Sequence, residues 1–421
     1  MRIQWRPKAS GSVHVLLVVF LVGASSLVQQ VPGLESQQES KSGVKSGWIR
    51  VHPQSSPGPR TDPLPIKPAG SSNSFWIGGT SETAPLNDSW EYAPDREEWF
   101  VSPTFGAPPA DEVDAARVVY VPERNSLLTL GEQGVWTLNL TSRRWTALPT
   151  NVPDLPSSSY SIAHHPRVGL VIVFGGGNSL QNSSGNLTFV YNASANLWSK
   201  LAIVGENPPP LYRASMVYVD SIDRMILFGG SSTIPDPETM CSQRNGTWEF
   251  DLQNLTWTRL HPKVSPAPRV SNMVSLPSVN RLFLFSGQSC LVEYQGLGDT
   301  WAFDYQNMTW YDLKPNSFPL PLSYHGLYFD QLSNSVVLFG GIENLRVHNQ
   351  TWHYTVGPET ANPPVSNPPV SQNWAWLTIV PYVILAVMTV IIVLVAARRR
   401  SRRRQRQLER AGTVTPSEAK I

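Results

Sequence analysis

The side chains in this chain that could do chemistry are few and scattered. Its 421 residues include two cysteines, Cys241 and Cys290, and eight histidines, of which His164 and His165 are adjacent. Neighbours in a strand point to opposite faces, so this pair cannot clamp one metal ion. No Asp-rich metal loop, nucleophile elbow or phosphate-cradling glycine loop occurs. What recurs instead is arginine: Arg60 in "PGPR", Arg213 in "PPPLYR" and Arg269 in "PAPR", with Arg117 as a looser fourth. Arginines repeated around an axis would form a positive rim for an acidic ligand. The competing reading is that each one pairs with a carboxylate or caps loop carbonyls in its own repeat. No cofactor and no metal are expected.

The elements that must position these arginines are strands. Fifteen Trp, 37 Pro and only 15% charged residues lean towards an all-β chain rich in turns. Six apolar strands end at glycine: "SFWIGG" from Ser74, "LLTLGE" from Leu127, "VIVFGG" from Val171, "MILFGG" from Met225, "LFLFSG" from Leu282 and "VVLFGG" from Val336. Each is followed by a pair at i and i+2, a spacing that puts both on one face of a strand. The pairs are Trp90 and Tyr92, Trp136 and Leu138, Phe189 and Tyr191, Trp248 and Phe250, Trp301 and Phe303, and Trp352 and Tyr354. In five units a Trp stands seven residues beyond the pair: Trp99, Trp145, Trp198, Trp257 and Trp310. Each unit therefore reads as four strands, a to d, with b ending in glycine and d carrying the Trp.

This pattern resembles the kelch repeat, a hydrophobic strand and double glycine followed by an aromatic and a Trp at set spacing. The resemblance covers about Gly47 to Gly357. It implies a six-bladed, kelch-type, all-β propeller. Single copies depart from it: "LTLGE" has one glycine, Ser286 replaces another, and Leu138 replaces an aromatic. The sixth unit lacks its Trp, since Ala361 stands seven residues after Tyr354. The missing strand is found at the other end. From Trp48 to Arg60 the chain matches Trp257 to Arg269 at eight of thirteen positions without a gap. Residues near Trp48 are thus expected to close the ring as the outer strand of the last blade, which would otherwise expose an unpaired edge.

Both ends carry membrane signals. Residues 1–25 read as a signal peptide, with Arg2, Arg6 and Lys8 before "VLLVVFLVGASS". Residues 374–397 hold 24 uncharged residues, long enough to cross a bilayer as a helix. Seven arginines within the next nine residues predict that the tail, 398–421, is cytoplasmic. That tail carries a net +7 in a chain of net +2, so the other 397 residues sum to −5 and the basic balance is no argument for nucleic-acid binding. Residues 26–46 read as a disordered leader and 358–373, with its doubled "NPPVS", as a Pro-rich stalk. Sequons occur at Asn87, Asn139, Asn182, Asn186, Asn192, Asn245, Asn254, Asn307 and Asn349, all between the two apolar segments. An exported, oxidising setting predicts a Cys241–Cys290 disulfide between b–c loops of neighbouring blades.

In an up-and-down blade the b–c and d–a links fall on one face, and here they are the long, variable ones. Arg60, Arg213 and Arg269 lie in d–a links, none of which contains a sequon. The expectation is a single-pass type I membrane glycoprotein of the plasma membrane or secretory pathway. Its extracellular or lumenal propeller would recognise an unknown protein or glycan. The alternative is a membrane-tethered, carbohydrate-acting enzyme, a sugar oxidase or isomerase. Galactose oxidase resembles this fold, but with more blades and a copper site of Tyr and His with a Tyr–Cys crosslink.

Overall fold

The computed structural model describes residues 46–106, 117–131, 134–152, 154–177, 185–234, 241–290 and 296–361. These form six antiparallel four-stranded sheets. Blade 1 comprises strands Leu64–Ile66, Ser74–Thr80, Pro85–Ala93 and Glu98–Val101, lettered a to d. Blade 2 comprises Val118–Val121, Ser126–Gly131, Gly134–Asn139 and Arg144–Leu148. Blades 3 and 4 follow with Ser161–His165, Leu170–Phe174, Thr188–Asn192 and Leu197–Lys200, then Ser215–Val219, Arg224–Phe228, Thr247–Asp251 and Thr256–Leu260. Blade 5 holds Met273–Leu276, Arg281–Phe285, Thr300–Asp304 and Thr309–Asp312. Blade 6 takes Gly326–Asp330, Ser335–Phe339 and Thr351–Thr355, and its fourth strand is Gly47–Val51. The a strands touch in sequence order and the sixth returns to the first, so the ring is closed around a channel.

Closure is as the echo predicts. Trp48 pairs with Tyr354 in antiparallel register, and Gly47 with Thr355. The Trp48 ring packs edge-on against Phe285 at 4.9 Å and Tyr354 at 5.4 Å. Strand d is an outer edge, so in blades 1, 3 and 6 it buries its Trp while the next two residues stay exposed. Strand b lies inside each sheet with neighbouring blades on both faces, which is why its apolar run is continuous.

The described residues run slightly past Gly47 and Gly357. Pro358–Ala361, expected to begin the stalk, forms one helical turn. Proline suits that place because a first helical residue needs no N–H partner. Thr360 is buried and its hydroxyl meets Ser46 Oγ at 3.0 Å and Tyr354 Oη at 3.2 Å. Gly357 N–H donates to Ser46 Oγ at 3.1 Å. Both chain exits are thereby pinned together on the face of the a–b and c–d turns. Residues 1–45 and 362–421, including the expected signal, span and tail, lie outside the described residues. Among the described residues no helix is long and apolar enough to cross a membrane.

The double glycines are explained by what packs on them. Gly229 and Gly340 have φ of 71° and 73°, which disfavours any residue with a Cβ. A Cβ on Gly229 would stand 2.6 Å from Arg269 O, and one on Gly340 2.6 Å from Arg60 O. The d–a link entering the next blade thus presses on the glycine ending strand b.

Candidate recognition surface at the channel mouth

Arg60 and Arg269 hold equivalent places, four residues before strand a of blades 1 and 5. They do not face a rim: their relative exposures are 4% and 0%. Arg60 Nη1 and Nη2 donate to Asp88 Oδ1 and Oδ2 at 2.5 and 2.8 Å, and Arg269 does the same to Asp299 at 2.5 and 2.8 Å. Each also reaches loop carbonyls, Gly58 and Gly78 in one case, Ala267 and Ser286 in the other. The same carboxylates accept from Trp90 Nε1 and Trp301 Nε1, both at 2.7 Å. Burial works to raise the Asp88 carboxyl, and the bonds from Arg60 and Trp90 outweigh it and hold it below its ordinary value. These two arginines brace the loops of their own blades, the structural alternative of the two readings.

Arg213 differs from them, because it lies only two residues before its strand a and Leu211 fills the bracing position. Its φ of 51° turns it towards the axis, as do the left-handed Asp62, Ser159 and Tyr324 at matching places in blades 1, 3 and 6. Arg213 Nη1 donates to Asp62 Oδ1 at 2.8 Å. Blades 1 and 4 are opposite in a ring of six, so this ion pair crosses the channel. The guanidinium also lies over the Tyr324 ring, 4.8 Å from its centroid.

Beneath the pair is a cavity of about 120 Å³ lined from all six a strands or the residues just before them, among them Pro63, Arg117, Ala214 and Asn272. Among the described residues Arg117 is held by its backbone. Its N–H donates to Tyr160 Oη at 3.3 Å, and its carbonyl accepts from Tyr160 Oη at 2.8 Å and Thr129 Oγ1 at 2.9 Å. Among the described residues the Arg117 guanidinium has no hydrogen bond or ion pair. Burial pulls it below the usual guanidinium value, the Asp62 charge opposes that and Arg213 adds to it. A cation that has no hydrogen bond or ion pair among the described residues, lining a cavity of this size at the loop face, can accept an anion. Close by, burial pushes His325 down to about 4, so it is neutral, and its Nε2–H donates to Phe285 O at 3.0 Å.

The other expected sites separate cleanly. His164 pairs with Glu123 Oε2 at 3.1 Å and His165 with Asp223 Oδ1 at 3.4 Å, on opposite sides of their strand. Among the described residues no group of three or more His, Cys, Asp or Glu is placed to hold a metal ion. Cys241 and Cys290 form a disulfide, Cα atoms 5.8 Å apart, joining the b–c loops of blades 4 and 5. Asn139, Asn192, Asn254 and Asn307 are exposed on the turn face; Asn87, Asn245 and Asn349 are exposed and Asn186 half-buried on the loop face. Asn182 lies outside the described residues. Sequence reasoning missed Asp62, Tyr160 and Tyr324, whose only signal is their offset from strand a.

Comparison with known proteins agrees with the geometry. The KLHDC2/KLHL20/DRC7 Kelch-repeats domain matches residues 168–361, from the a–b turn of blade 3 onwards. The Rho GTPase-activating protein gacHH of Dictyostelium discoideum is 28% identical over 149 residues, 35% of this chain and 9% of that protein. Multiple epidermal growth factor-like domains protein 8 of Mus musculus is 26% identical over 204 residues, 44% of this chain and 7% of that protein. Ras guanine nucleotide exchange factor F of Dictyostelium discoideum is 25% identical over 178 residues, 41% and 15% respectively. The chain thus spans less than a sixth of each of these relatives. With six four-stranded blades and an N-terminal strand closing the last of them, the chain folds as a six-bladed kelch-type β-propeller, and its residues 168–361 match the family's repeat domain.

Proposed function

We propose that the propeller recognises a protein partner with its loop face, taking an acidic segment at the channel mouth. The kelch propeller itself suggests a protein-interaction module. The observation that carries the finer reading is the Arg117 guanidinium, without a partner among the described residues and beside the Arg213–Asp62 pair. The setting comes from sequence: export by residues 1–25, anchoring by 374–397, and the propeller outside the cytoplasm with N-glycans on its sequons. Strand c of blade 6 ends at Thr355 on the turn face, so an anchor following it would leave the loop face outward.

The test is proximity labelling from the full-length protein, wild type against Arg117→Ala/Arg213→Ala. Loss of specific acidic partners, with surface level and thermal transition kept, supports the reading. An unchanged partner set overturns it. Anchoring and glycosylation are checked separately, by protease protection and a glycosidase mobility shift.

A further inference from the structure

The disulfide joins two unlike ends. Cys241 is buried, 2% exposed, whereas Cys290 is exposed. The Cys241 side is clamped without the disulfide. Arg244 Nη1 donates to the carbonyls of Cys241 at 2.7 Å, Ser242 at 2.9 Å and Gln243 at 3.2 Å, and Nη2 donates to Ile234 O. Arg244 O in turn accepts from Arg269 N at 3.0 Å, tying this loop to blade 5. On the other side, the blade 5 loop is held at its base, where Gln288 and Val270 exchange backbone bonds of 2.9 Å. Cys290 lies two residues beyond that base.

We infer that this bond is a reversible thiol-exchange site with a fixed direction, in which Cys290 is the sulfur attacked and Cys241 the one released. A small thiolate, RS⁻, attacks the Sγ of Cys290, the exposed residue of the pair. The S–S bond breaks and its electron pair leaves on Cys241 Sγ, giving a Cys290–S–S–R mixed disulfide and a Cys241 thiolate. Two features suit Cys241 to leave. The Arg244 cation is bonded to its own carbonyl, and nearby positive charge favours a thiolate. Gln243 Oε1 lies 3.4 Å from Cys241 Sγ, placed to accept the S–H once the sulfur takes a proton. Because Arg244 keeps the Cys241 loop in place, the released sulfur stays near Cys290 and can expel RS⁻ again. Exchange therefore frees Ser289 and Cys290 on the loop face and leaves Cys241–Gln243 held by Arg244.

The experiment exposes the folded, full-length protein to reduced glutathione, blocks free thiols with N-ethylmaleimide and maps both cysteines by mass spectrometry. Hydrogen exchange is followed in parallel. Glutathione on Cys290 with maleimide on Cys241 is the expected result. Exchange should rise in a peptide containing Ser289 and Cys290 and stay constant across Ser242–Asn245. Removing glutathione by dilution into buffer before blocking should restore the disulfide. Glutathione predominantly on Cys241, equal loosening of both loops, or no adduct while the protein remains folded would each overturn the inference.

Discussion

Arg213 and Asp62, 151 residues apart and on opposite blades, meet at 2.8 Å across the channel mouth. Both are largely buried, with side-chain exposures of 21% and 12%. Asp62 thereby holds the place an incoming carboxylate would take. Removing its charge while keeping its shape should raise affinity for an acidic partner. Asp62→Asn is expected to strengthen binding of a partner found by proximity labelling about tenfold, equivalent to about 1.4 kcal/mol. Titration of that partner against wild type and variant checks it. Equal or weaker binding by Asp62→Asn would show that the pair is a strut.

Arg269 should behave in the opposite way. Its guanidinium is fully buried and bidentate on Asp299, which also accepts from Trp301. Arg269→Ala leaves that carboxylate with only part of its partners, and breaking a buried pair on one side costs about 3–5 kcal/mol. Asp299 is a quarter exposed, so the lower end applies. Arg269→Lys should fail almost as badly, because an ammonium cannot fork across both oxygens. Denaturant unfolding of the three proteins decides this. A Lys variant as stable as wild type would mean that charge alone matters there.

The ring was legible in the sequence because its marks are local. A glycine ending strand b, an aromatic pair on strand c and a Trp on strand d all lie within one blade, so spacing reveals them. Ring closure was legible for the same reason, since Trp48 to Arg60 copies a segment whose place was already known. The channel mouth was not legible. Asp62 and Arg213 meet only because three blades turn the chain to the opposite side, and no local spacing encodes that. Grouping Arg213 with Arg60 and Arg269 by their prolines hid a two-residue offset that separates a channel residue from two braces. The loop that would carry a fourth site, 107–116, lies outside the described residues.

A second relation hidden from the sequence links four of the six blades to their predecessors. Trp48 Nε1 donates to Thr300 Oγ1 at 3.1 Å, Trp99 to Thr351 at 3.1 Å, Trp257 to Thr188 at 3.0 Å and Trp310 to Thr247 at 3.4 Å. In each case the Trp of strand d reaches the first residue of strand c in the preceding blade. That residue stands immediately before the aromatic pair of strand c, and in blade 2 the residue before Trp136 is Val135, so Trp198 of blade 3 has no hydroxyl there to bond. Val135 and Trp198 are both buried, 1% and 2% exposed. Val135→Thr swaps a methyl for a hydroxyl at nearly constant volume and should add a fifth bond of this kind. The expected gain is about 1 kcal/mol, the net worth of one such bond, with slower hydrogen exchange in blade 2. A loss of stability would mean that the hydroxyl is buried without reaching the indole.

Stability should also fall in mild acid, and the direction follows most strongly from two histidines. Burial pushes both His325 and His353 down to about 4 from 6.5. His353 Nε2 meets Tyr92 Oη at 2.8 Å, and Asp330 is the charged group whose field opposes the shift. His325 faces Phe285 O, with Asp62 and Arg117 acting on it in opposite senses. Both are neutral in the folded chain, whereas an unfolded chain takes up a proton at each below about 6.5. The unfolded state therefore binds more protons between 6.5 and 4. The stability these groups contribute is whole above 6.5 and is lost as pH falls towards 4. Each shift is worth at most about 3 kcal/mol at 1.36 kcal/mol per unit. Carboxylates held low by their partners, such as Asp88 and Asp330, lose their share only below about 4, so the two windows separate. Thermal melts of the full-length protein across pH 7 to 4 should show the midpoint dropping chiefly below 6.5. His353→Gln keeps a polar partner for Tyr92 and cannot titrate, so it should remove part of that drop, the remainder belonging to His325 and to His164, His165 and His348, which burial also holds low. A midpoint flat from 6.5 to 4, or a drop of full size in the Gln variant, would assign the acid sensitivity to other groups.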